Sequence, residues 1–357
     1  MIHLQHVIKC LTEDGKLAAN VEIDLSEAEL LKAYQTMVIT RILDTKMIAL
    51  QRQGRIGFYL SSYGEEACSV GSALGVSTND WFFPAYREQG AMLLKGVSLH
   101  FIISHLRGTA EDEHKGRSLP GLFGCSSKRF VPPSAPVGTQ IPHGVGAALA
   151  SKLIGDNSAT IVYFGDGATS SNDFHSGMNF AGVFKTPNVF FCKNNQWAIS
   201  THVDSQTSSK GIAVKAQAYG FDGVSVDGND VLAVYLATKT AMENARNGNG
   251  PTLIEALTYR LSSHSTSDDG SRYQDQTEYK KWLNKDPIAR FRKYLNNAGI
   301  WTVEYEQELQ EKSDRQISEA IAQVESSPMP SVDTLITDVY SEIPNALRSD
   351  FEDIRNV

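Results

Sequence analysis

The chain has 357 residues and a formal net charge of −8 at pH 7, with 41% hydrophobic and 21% charged residues. This composition is ordinary for a globular protein, and the acidic balance without a basic block argues against nucleic acid as a partner. No apolar run in the sequence is long enough for a membrane span, and no signal or Arg-rich transit pattern stands at its start. We therefore expect a cytoplasmic protein, with a mitochondrial matrix protein that has lost its transit peptide as the alternative.

The predicted elements divide the chain into three parts. Residues 1–25 are mixed in character and predict an extended arm rather than a packed element. Residues 26–285 alternate predicted strands and helices, which indicates an α/β domain with a mostly parallel sheet and helices on both faces. Residues 286–357 are polar and mostly helical, and they predict a C-terminal helical extension that serves as a lid or a subunit contact.

The first predicted helices contain one acidic motif with two interpretations. Ser26 and Glu29 have the spacing of a capping box and predict a helix that runs to Gly54. Glu65 and Glu66 begin the next predicted helix. Paired carboxylates can act as acid and base, but acids at a helix start more often complement the helix dipole, and we prefer that interpretation.

Two segments before the middle of the chain offer candidate binding groups. Tyr86 and Arg87 follow a short predicted strand, and a guanidinium beside a phenol can bind phosphate oxygens, although composition alone leaves this open. The long loop 108–136 leads into a helix rich in alanine and glycine. At that junction, oxygen atoms could hold K⁺, or they could simply cap the helix. The residues that carry these oxygens are Ser134, Pro136, Thr139 and Gln140.

The segment 160–200 predicts the centre of the fold. A buried strand ends in Gly165-Asp166-Gly167, a helix follows, and a second apolar run leads to Asn194 and Asn195. Ligands bind beyond the carboxyl ends of parallel strands, so both polar groups should face one crevice. Carboxylate and amide oxygens suit Mg²⁺, and the glycines and the helix start after Ala168 suit an anion. The unit therefore predicts a site for a Mg²⁺-bound diphosphate.

The last predicted strand leads into the sequence RLSSHSTSDDG, which contains His264. This loop is rich in hydroxyls and acids and has no apolar anchors, so we expect it to be mobile until a ligand or partner orders it. A lone loop histidine is more often inert. His264, however, lies beyond a sheet strand on the crevice side, where it could stabilise charge or move protons near neutral pH.

The spacing of GDG and NN is typical of thiamine diphosphate enzymes, and nearly the whole chain from about Leu25 resembles one family. The stretches QRQGRIGFY, YGEE, AYRE, GTQIPHGVGAA, VDGNDVLAVY and YRLSSHSTSDD resemble the alpha subunits of branched-chain 2-oxo acid dehydrogenase complexes. The pyruvate relatives generally carry methionine and proline where this chain has Thr266 and Asp269. Lys193 stands where these subunits usually have arginine, and Asp166 where they often have glutamate.

The resemblance implies a thiamine diphosphate-binding fold and a role for each matching residue. Mg²⁺ would be held by Asp166, Asn195 and the backbone carbonyl of Trp197, and K⁺ by the junction residues named above. His264 would be the catalytic residue that assists acyl transfer, and Phe58, Tyr59 and Val137 would form pocket walls. Ser265 matches a position that is phosphorylated in mitochondrial relatives. The residues that would contact the cofactor are Tyr86, Arg87, Val137, Gly165, Asp166, Gly167, Ala168, Lys193, Asn195, Trp197 and His264.

The implied reaction is oxidative decarboxylation of a branched-chain 2-oxo acid, followed by transfer of the acyl group to the lipoyl group of a partner acyltransferase. The glutamate that activates the cofactor's aminopyrimidine would come from a beta subunit, in an assembly of two alpha and two beta chains. One alternative is the alpha subunit of a pyruvate or acetoin dehydrogenase. The other, from a different class, is a non-catalytic assembly or regulatory module with the same fold.

Overall fold

The computed structural model describes residues 7–355, so residues 1–6 of the predicted arm and residues 356 and 357 of the predicted C-terminal region lie outside it. The strands are β1 (Trp81–Phe83), β2 (Thr160–Gly165), β3 (Asn188–Asn194), β4 (Trp197–Ala198), β5 (Thr201–His202), β6 (Asp222–Asp227) and β7 (Thr252–Leu257). The α-helices are α1 (Glu27–Arg52), α2 (Glu66–Leu74), α3 (Gln89–Leu94), α4 (Leu99–Arg107), α5 (Gln140–Ile154), α6 (Asn172–Phe184), α7 (Val231–Arg246), α8 (Gln276–Leu283), α9 (Pro287–Asn297), α10 (Val303–Ser326), α11 (Thr334–Thr337) and α12 (Arg348–Arg355).

Five strands form one parallel sheet in the order β1-β2-β3-β7-β6, and β4 and β5 form a separate antiparallel hairpin. Along β2, Ile161 and Tyr163 belong to one core cluster, while Val162 and Phe164 belong to another. Successive side chains of a strand point to opposite faces, so a sheet covered on both sides needs a continuous apolar run. The predicted α/β fold with a parallel sheet is confirmed.

Helices cover both faces of the sheet. Helices α5 and α6 pack on one face, and α1, α2 and α7 build the layer on the other. The C-terminal helix α10 packs against α1 and α4 and contributes Ile317 and Val324, both fully buried, to the larger core cluster. The division of the chain into three parts stays a prediction, but α10 is part of the core that covers the sheet.

The N-terminal arm is extended, as predicted, but it is also packed. Ile8 pairs in parallel with Val226 of the edge strand β6, and Cys10 and Leu11 are buried. The amides of Cys10 and Leu11 donate hydrogen bonds to Oδ2 of Asp230 at 2.7 and 2.6 Å. The prediction of an unpacked arm was wrong because a buried carboxylate far along the chain binds its backbone amides.

We expect Asp230→Ala to lower the free energy of unfolding by about 3 kcal/mol, because two buried amides lose their acceptor and α7 loses its N-cap. The Asp230 side chain also accepts from the amides of Leu232 and Ala233 in the first turn of α7. Denaturant unfolding at pH 7 measures the loss. Asp24→Ala, which removes an exposed ion pair with Lys239, is the control and should change stability little. Equal stability of the two variants would contradict this role of Asp230.

Candidate active site

A cavity of about 420 Å³ lies at the carboxyl ends of the central strands. This is where ligands bind in open α/β sheets, and the volume is in the range of small-molecule sites. Every predicted cofactor-binding residue except Lys193 lines it. These lining residues are Tyr86, Arg87, Val137, Gly165, Asp166, Gly167, Ala168, Asn195, Trp197 and His264.

The turn after β2 has a tighter geometry than the sequence indicated. Asp166 to Ser170 form a 3₁₀ turn, and α6 begins only at Asn172 with Ser171 as its N-cap. The helix that the sequence predicts over 171–184 is confirmed, and the 3₁₀ turn lies between it and the strand, where the sequence indicated only a helix start after Ala168. Close packing explains why residue 167 is a glycine, since an added Cβ would lie 2.7 Å from Cβ of Ala198 in the β4–β5 hairpin.

Asp166 is a buried carboxylate that lacks a cationic partner. Its side chain is 1% exposed, and Oδ2 accepts a hydrogen bond of 2.6 Å from the neutral amide of Gln206. Within residues 7–355, no lysine, arginine or histidine nitrogen lies within 4.0 Å of its oxygens. Burial raises the pKa of Asp166 to about 6. A buried carboxylate of this kind fits a bound cation, which would supply the missing positive charge.

The other two predicted metal ligands lie at the same cavity. The side-chain Oδ1 of Asn195 accepts from the amide of Trp197 at 3.2 Å, and the Trp197 carbonyl accepts from Arg260 at 3.1 Å. Each oxygen keeps a second lone pair, so both can still bind a cation. The described residues contain no cluster of three or more His, Cys, Asp or Glu side chains that could hold a metal. An ion here would need oxygens from amides, carbonyls and its ligand, which is typical of Mg²⁺.

Arg87 and His264 contact each other at the cavity wall. Arg87 is 3% exposed, and its Nη2 donates to the His264 carbonyl at 2.6 Å and lies 3.3 Å from Nδ1 of the ring. Because a guanidinium can only donate, Nδ1 must accept and the ring proton must sit on Nε2.

Burial, together with the neighbouring charges, keeps the His264 ring neutral. Burial lowers the pKa of His264 to about 3, and the charges of Arg87 and Arg260 act in the same direction. The predicted role of His264 in stabilising charge or moving protons stays a prediction. In the chain by itself, the imidazole is a neutral donor through Nε2.

The loop that contains His264 is hydrogen-bonded to the rest of the fold at several points. Arg260 donates to the carbonyls of Trp197 and Ile199, the Thr266 amide donates to the Tyr59 carbonyl, and the His264 amide donates to its own loop through Asp268. The predicted mobility stays a prediction. The expectation concerned apolar anchors, whereas the contacts described here are hydrogen bonds to distant segments, which the sequence did not indicate.

Lys193 is the predicted cofactor residue that the structure does not bring to the cavity. Its Nζ lies 2.6 Å from Glu88 and 3.3 Å from Glu65, and the side chain is 3% exposed. Burial opposes its charge, but the two carboxylates outweigh burial and raise the pKa of Lys193. The charge of Lys193 is thus used by buried acids behind the cavity, and its predicted contact with a diphosphate lacks support here.

The acidic pair at the start of α2 is buried and does more than complement a dipole. Both Glu65 and Glu66 are 0% exposed. Glu66 forms an ion pair of 2.5 Å with Arg41, and Glu65 accepts from the Asn195 amide at 2.8 Å. The pair does lie at the start of α2, as predicted, with Glu65 at the N-cap and Glu66 in the first turn, and its buried contacts come in addition to that position. The sequence shows the acidic pair, but it does not indicate that both side chains are buried.

The predicted K⁺ ligands and pocket walls are only partly assembled. Ser134 and Gln140 line the cavity, whereas Pro136 and Thr139 do not, and the Pro136 carbonyl accepts from the Thr139 hydroxyl at 3.0 Å. The Gln140 amide donates to the Tyr163 carbonyl at 2.8 Å. The K⁺ site stays a prediction, and α5 has no side-chain cap either.

Of the predicted walls, Phe58 and Val137 line the cavity, but Tyr59 does not. Tyr59 is fully buried, and its hydroxyl donates to Asp44 at 2.5 Å. The structure adds apolar wall residues that the sequence did not reveal: Leu60, Leu119, Leu122 and Ile199. Gln206, the partner of Asp166, also went unnoticed, because a lone glutamine in a polar loop gives no signal.

The dehydrogenase E1 component family matches residues 34–333, so the chain belongs to this family. The human protein named 2-oxoisovalerate dehydrogenase subunit alpha, mitochondrial, is 43% identical over 331 residues, which are 92% of this chain and 74% of that protein. A Mycobacterium tuberculosis (strain ATCC 25618 / H37Rv) protein named 3-methyl-2-oxobutanoate dehydrogenase subunit alpha is 44% identical over 332 residues, 93% of this chain and 88% of that protein.

These relatives confirm the predicted resemblance to branched-chain 2-oxo acid dehydrogenase alpha subunits. Membership of the family supports the predicted dependence on thiamine diphosphate, whereas Mg²⁺ and K⁺ stay predictions. The relatives include bacterial and mitochondrial proteins, so the compartment of this chain stays a prediction. Among the helices of residues 7–355, none combines the length and the apolar character that a bilayer crossing requires.

Proposed function

We propose that this chain is the alpha subunit of a 2-oxo acid dehydrogenase complex that decarboxylates branched-chain 2-oxo acids and passes the acyl group to a lipoyl group. The observation that carries the proposal is the single cavity that collects Arg87, Asp166, Asn195 and His264 from the ends of different strands. The names of the relatives support the choice of substrate.

The residues of the cavity have separate roles in this proposal. Asp166, Asn195 and the Trp197 carbonyl would hold Mg²⁺ on the diphosphate, and Tyr86 and Arg87 would donate to diphosphate oxygens. Gly165, Gly167 and Ala168 would let the backbone approach the same group. When bound, thiamine diphosphate supplies the carbon that attacks the oxo group and accepts the electrons released with CO₂.

His264 would act as a hydrogen-bond donor through Nε2 during acyl transfer. The negative charge of a neighbouring diphosphate would raise the pKa of His264 from the value of about 3 that burial and the two nearby arginines give it. The ring could then hold a proton when the acyl group leaves for the lipoyl sulfur. Ser265 directly follows, so a phosphate on it would place a second anion beside this position.

The partners complete the site in this proposal. A beta subunit would supply the glutamate that activates the aminopyrimidine, in an assembly of two alpha and two beta chains, and a lipoyl-bearing acyltransferase would accept the product. K⁺ at Ser134, Pro136, Thr139 and Gln140 would be a structural addition to the site. The apolar wall formed by Phe58, Leu122 and Val137 favours a branched aliphatic side chain over the methyl group of pyruvate.

The test is calorimetric titration of thiamine diphosphate with Mg²⁺ into the chain, alone and with its beta subunit. We expect Mg²⁺-dependent binding that is tight only with the beta subunit, because the chain holds half of a site. Absence of such binding by the assembly would reject the proposal. We then expect kcat/KM for 3-methyl-2-oxobutanoate to exceed that for pyruvate by at least about 100-fold, because additional buried methyl groups each favour the larger substrate. The reverse order would favour a pyruvate dehydrogenase subunit.

A further inference from the structure

Four charged side chains form a buried cluster at the cavity, in which Arg87 lines the wall and the other three lie behind it. Glu65, Arg87, Glu88 and Lys193 are between 0% and 3% exposed. Glu65 Oε2 lies 3.3 Å from Lys193 Nζ, and Glu65 Oε1 lies 3.9 Å from Nε of Arg87. The two acids and two bases balance in charge, which is the condition for keeping such groups out of water.

We propose that Glu65 is a positioning residue that fixes the Asn195 side chain with its oxygen available to the metal. This inference rests on the proposed function, since it assumes that Asn195 binds the Mg²⁺ of the diphosphate. Glu65 Oε1 accepts a hydrogen bond of 2.8 Å from Nδ2 of Asn195.

The chemistry of the neighbours determines which way the Asn195 amide faces. A carboxylate can only accept, so the atom of Asn195 that faces Glu65 must be the NH₂ group. On the other side, the Trp197 amide can only donate, and it lies 3.2 Å from Oδ1. Both contacts therefore require the same orientation, in which Oδ1 is the free ligand atom. Without Glu65, the amide could rotate and present nitrogen, which cannot bind a cation.

The backbone before Glu65 is held close to the segment that follows β7. Gly64 has φ of +94°, and an added Cβ would lie 2.6 Å from the Tyr259 carbonyl. Helix α2 begins at Glu66, and Glu65 is its N-cap residue. The Glu65 side chain is therefore fixed at a helix start that packs against this segment. This placement makes Glu65 a rigid support, as the outer partners of metal ligands generally are.

Glu65 also connects a predicted metal ligand with the buried basic side chains of this cluster. On one side it binds Asn195, which is a predicted metal ligand, and on the other it lies near Arg87 and Lys193. Among the described residues, Glu65 Oε2 has no hydrogen-bond partner and is held by the ion pair with Lys193. Loss of this carboxylate would free the Asn195 amide and leave an excess positive charge beside the diphosphate position.

The test measures the Mg²⁺ concentration that gives half-maximal thiamine diphosphate binding by the chain reconstituted with its beta subunit. Calorimetry at fixed thiamine diphosphate gives this value without turnover. We expect Glu65→Gln to raise it about 10-fold and Glu65→Ala about 100-fold, the range found when outer partners of metal ligands are changed. Glu66→Gln is the matched control, because Glu66 is equally buried beside Glu65 but pairs with Arg41, away from the cavity. It should leave the Mg²⁺ requirement unchanged.

A reversed hydrogen bond separates positioning from simple structural support. Asn195→Asp alone would place two buried carboxylates against each other and should weaken Mg²⁺ binding. The double variant Glu65→Gln/Asn195→Asp restores the hydrogen bond in the opposite direction with the same net charge, and should recover most of the lost Mg²⁺ affinity. Failure of the double variant to recover affinity, or an equal effect of Glu66→Gln, would overturn the inference. If the parent assembly itself shows no Mg²⁺-dependent binding, the proposed function fails first, which is a distinct result.

Discussion

Asp166→Asn should abolish Mg²⁺-dependent binding of thiamine diphosphate and, at the same time, make the unloaded chain more stable. The buried carboxylate has a folded pKa of about 6 against 3.8 for the free group. An acid with a raised folded pKa costs stability where it is ionised in the fold, so the full cost applies above pH 6 and vanishes below about pH 3.8. At pH 8 the variant should gain up to about 3 kcal/mol in the free energy of unfolding.

Denaturant unfolding of the chain between pH 4 and pH 8 tests this sign, because the advantage of Asp166→Asn should shrink as the pH falls. Asp44→Asn is the control. Asp44 is also a buried acid with a raised pKa, but Tyr59, Ser61 and Ser62 all donate to it, so its replacement should lower stability. A destabilised Asp166→Asn would contradict our view that this carboxylate is kept for a cation. Retained activity of the assembled complex would favour the non-catalytic alternative.

Arg87→Lys should weaken the binding of thiamine diphosphate with Mg²⁺ by at least about 100-fold, although the charge is kept. The guanidinium donates to the Ser61 and His264 carbonyls at once and faces the cavity, and an ammonium group cannot span these positions. The loop around His264 would lose an anchor, so we also expect faster proteolytic cleavage within it. Calorimetry and limited proteolysis measure the two effects.

Arg290→Lys is the matched control for Arg87→Lys. Arg290 is 5% exposed, donates to the Leu11 carbonyl and pairs with Asp227, and it does not line the cavity. The Arg290→Lys variant should reduce stability without changing cofactor affinity. Arg87→Met should lower the free energy of unfolding more than Arg87→Lys, because Glu65 and Glu88 would then share one cation. A buried acid without its partner costs about 3–5 kcal/mol. Normal cofactor affinity in Arg87→Lys would remove Arg87 from the site.

The central unit of the fold could be read from the sequence because its signals are local. The apolar run of β2, the glycines around Asp166 and the next apolar run lie within one strand-helix-strand unit, and parallel strands bring their carboxyl ends to one edge. The resemblance then added Tyr86, Arg87 and His264, which line the same cavity.

The partners of these residues could not be read in the same way. Glu65 and Asn195 are 130 positions apart, and the donor to Asp166 comes from a loop without a motif. The packing of the N-terminal arm also depends on Asp230, more than two hundred positions away. A sequence pattern reports periodicity along one segment, whereas these contacts join segments that no period connects.

The sequence by itself determined the parallel α/β sheet, the edge at which the cavity lies and most of the side chains that line it. The tertiary structure alone decided which charges are free to meet a ligand. It assigned Lys193 to buried acids, left Asp166 without a cation and placed His264 beside Arg87, where the ring stays neutral. The reason is electrostatic: out of water, the charge state of a side chain depends on neighbours a few ångströms away, and those neighbours are brought together only by the fold.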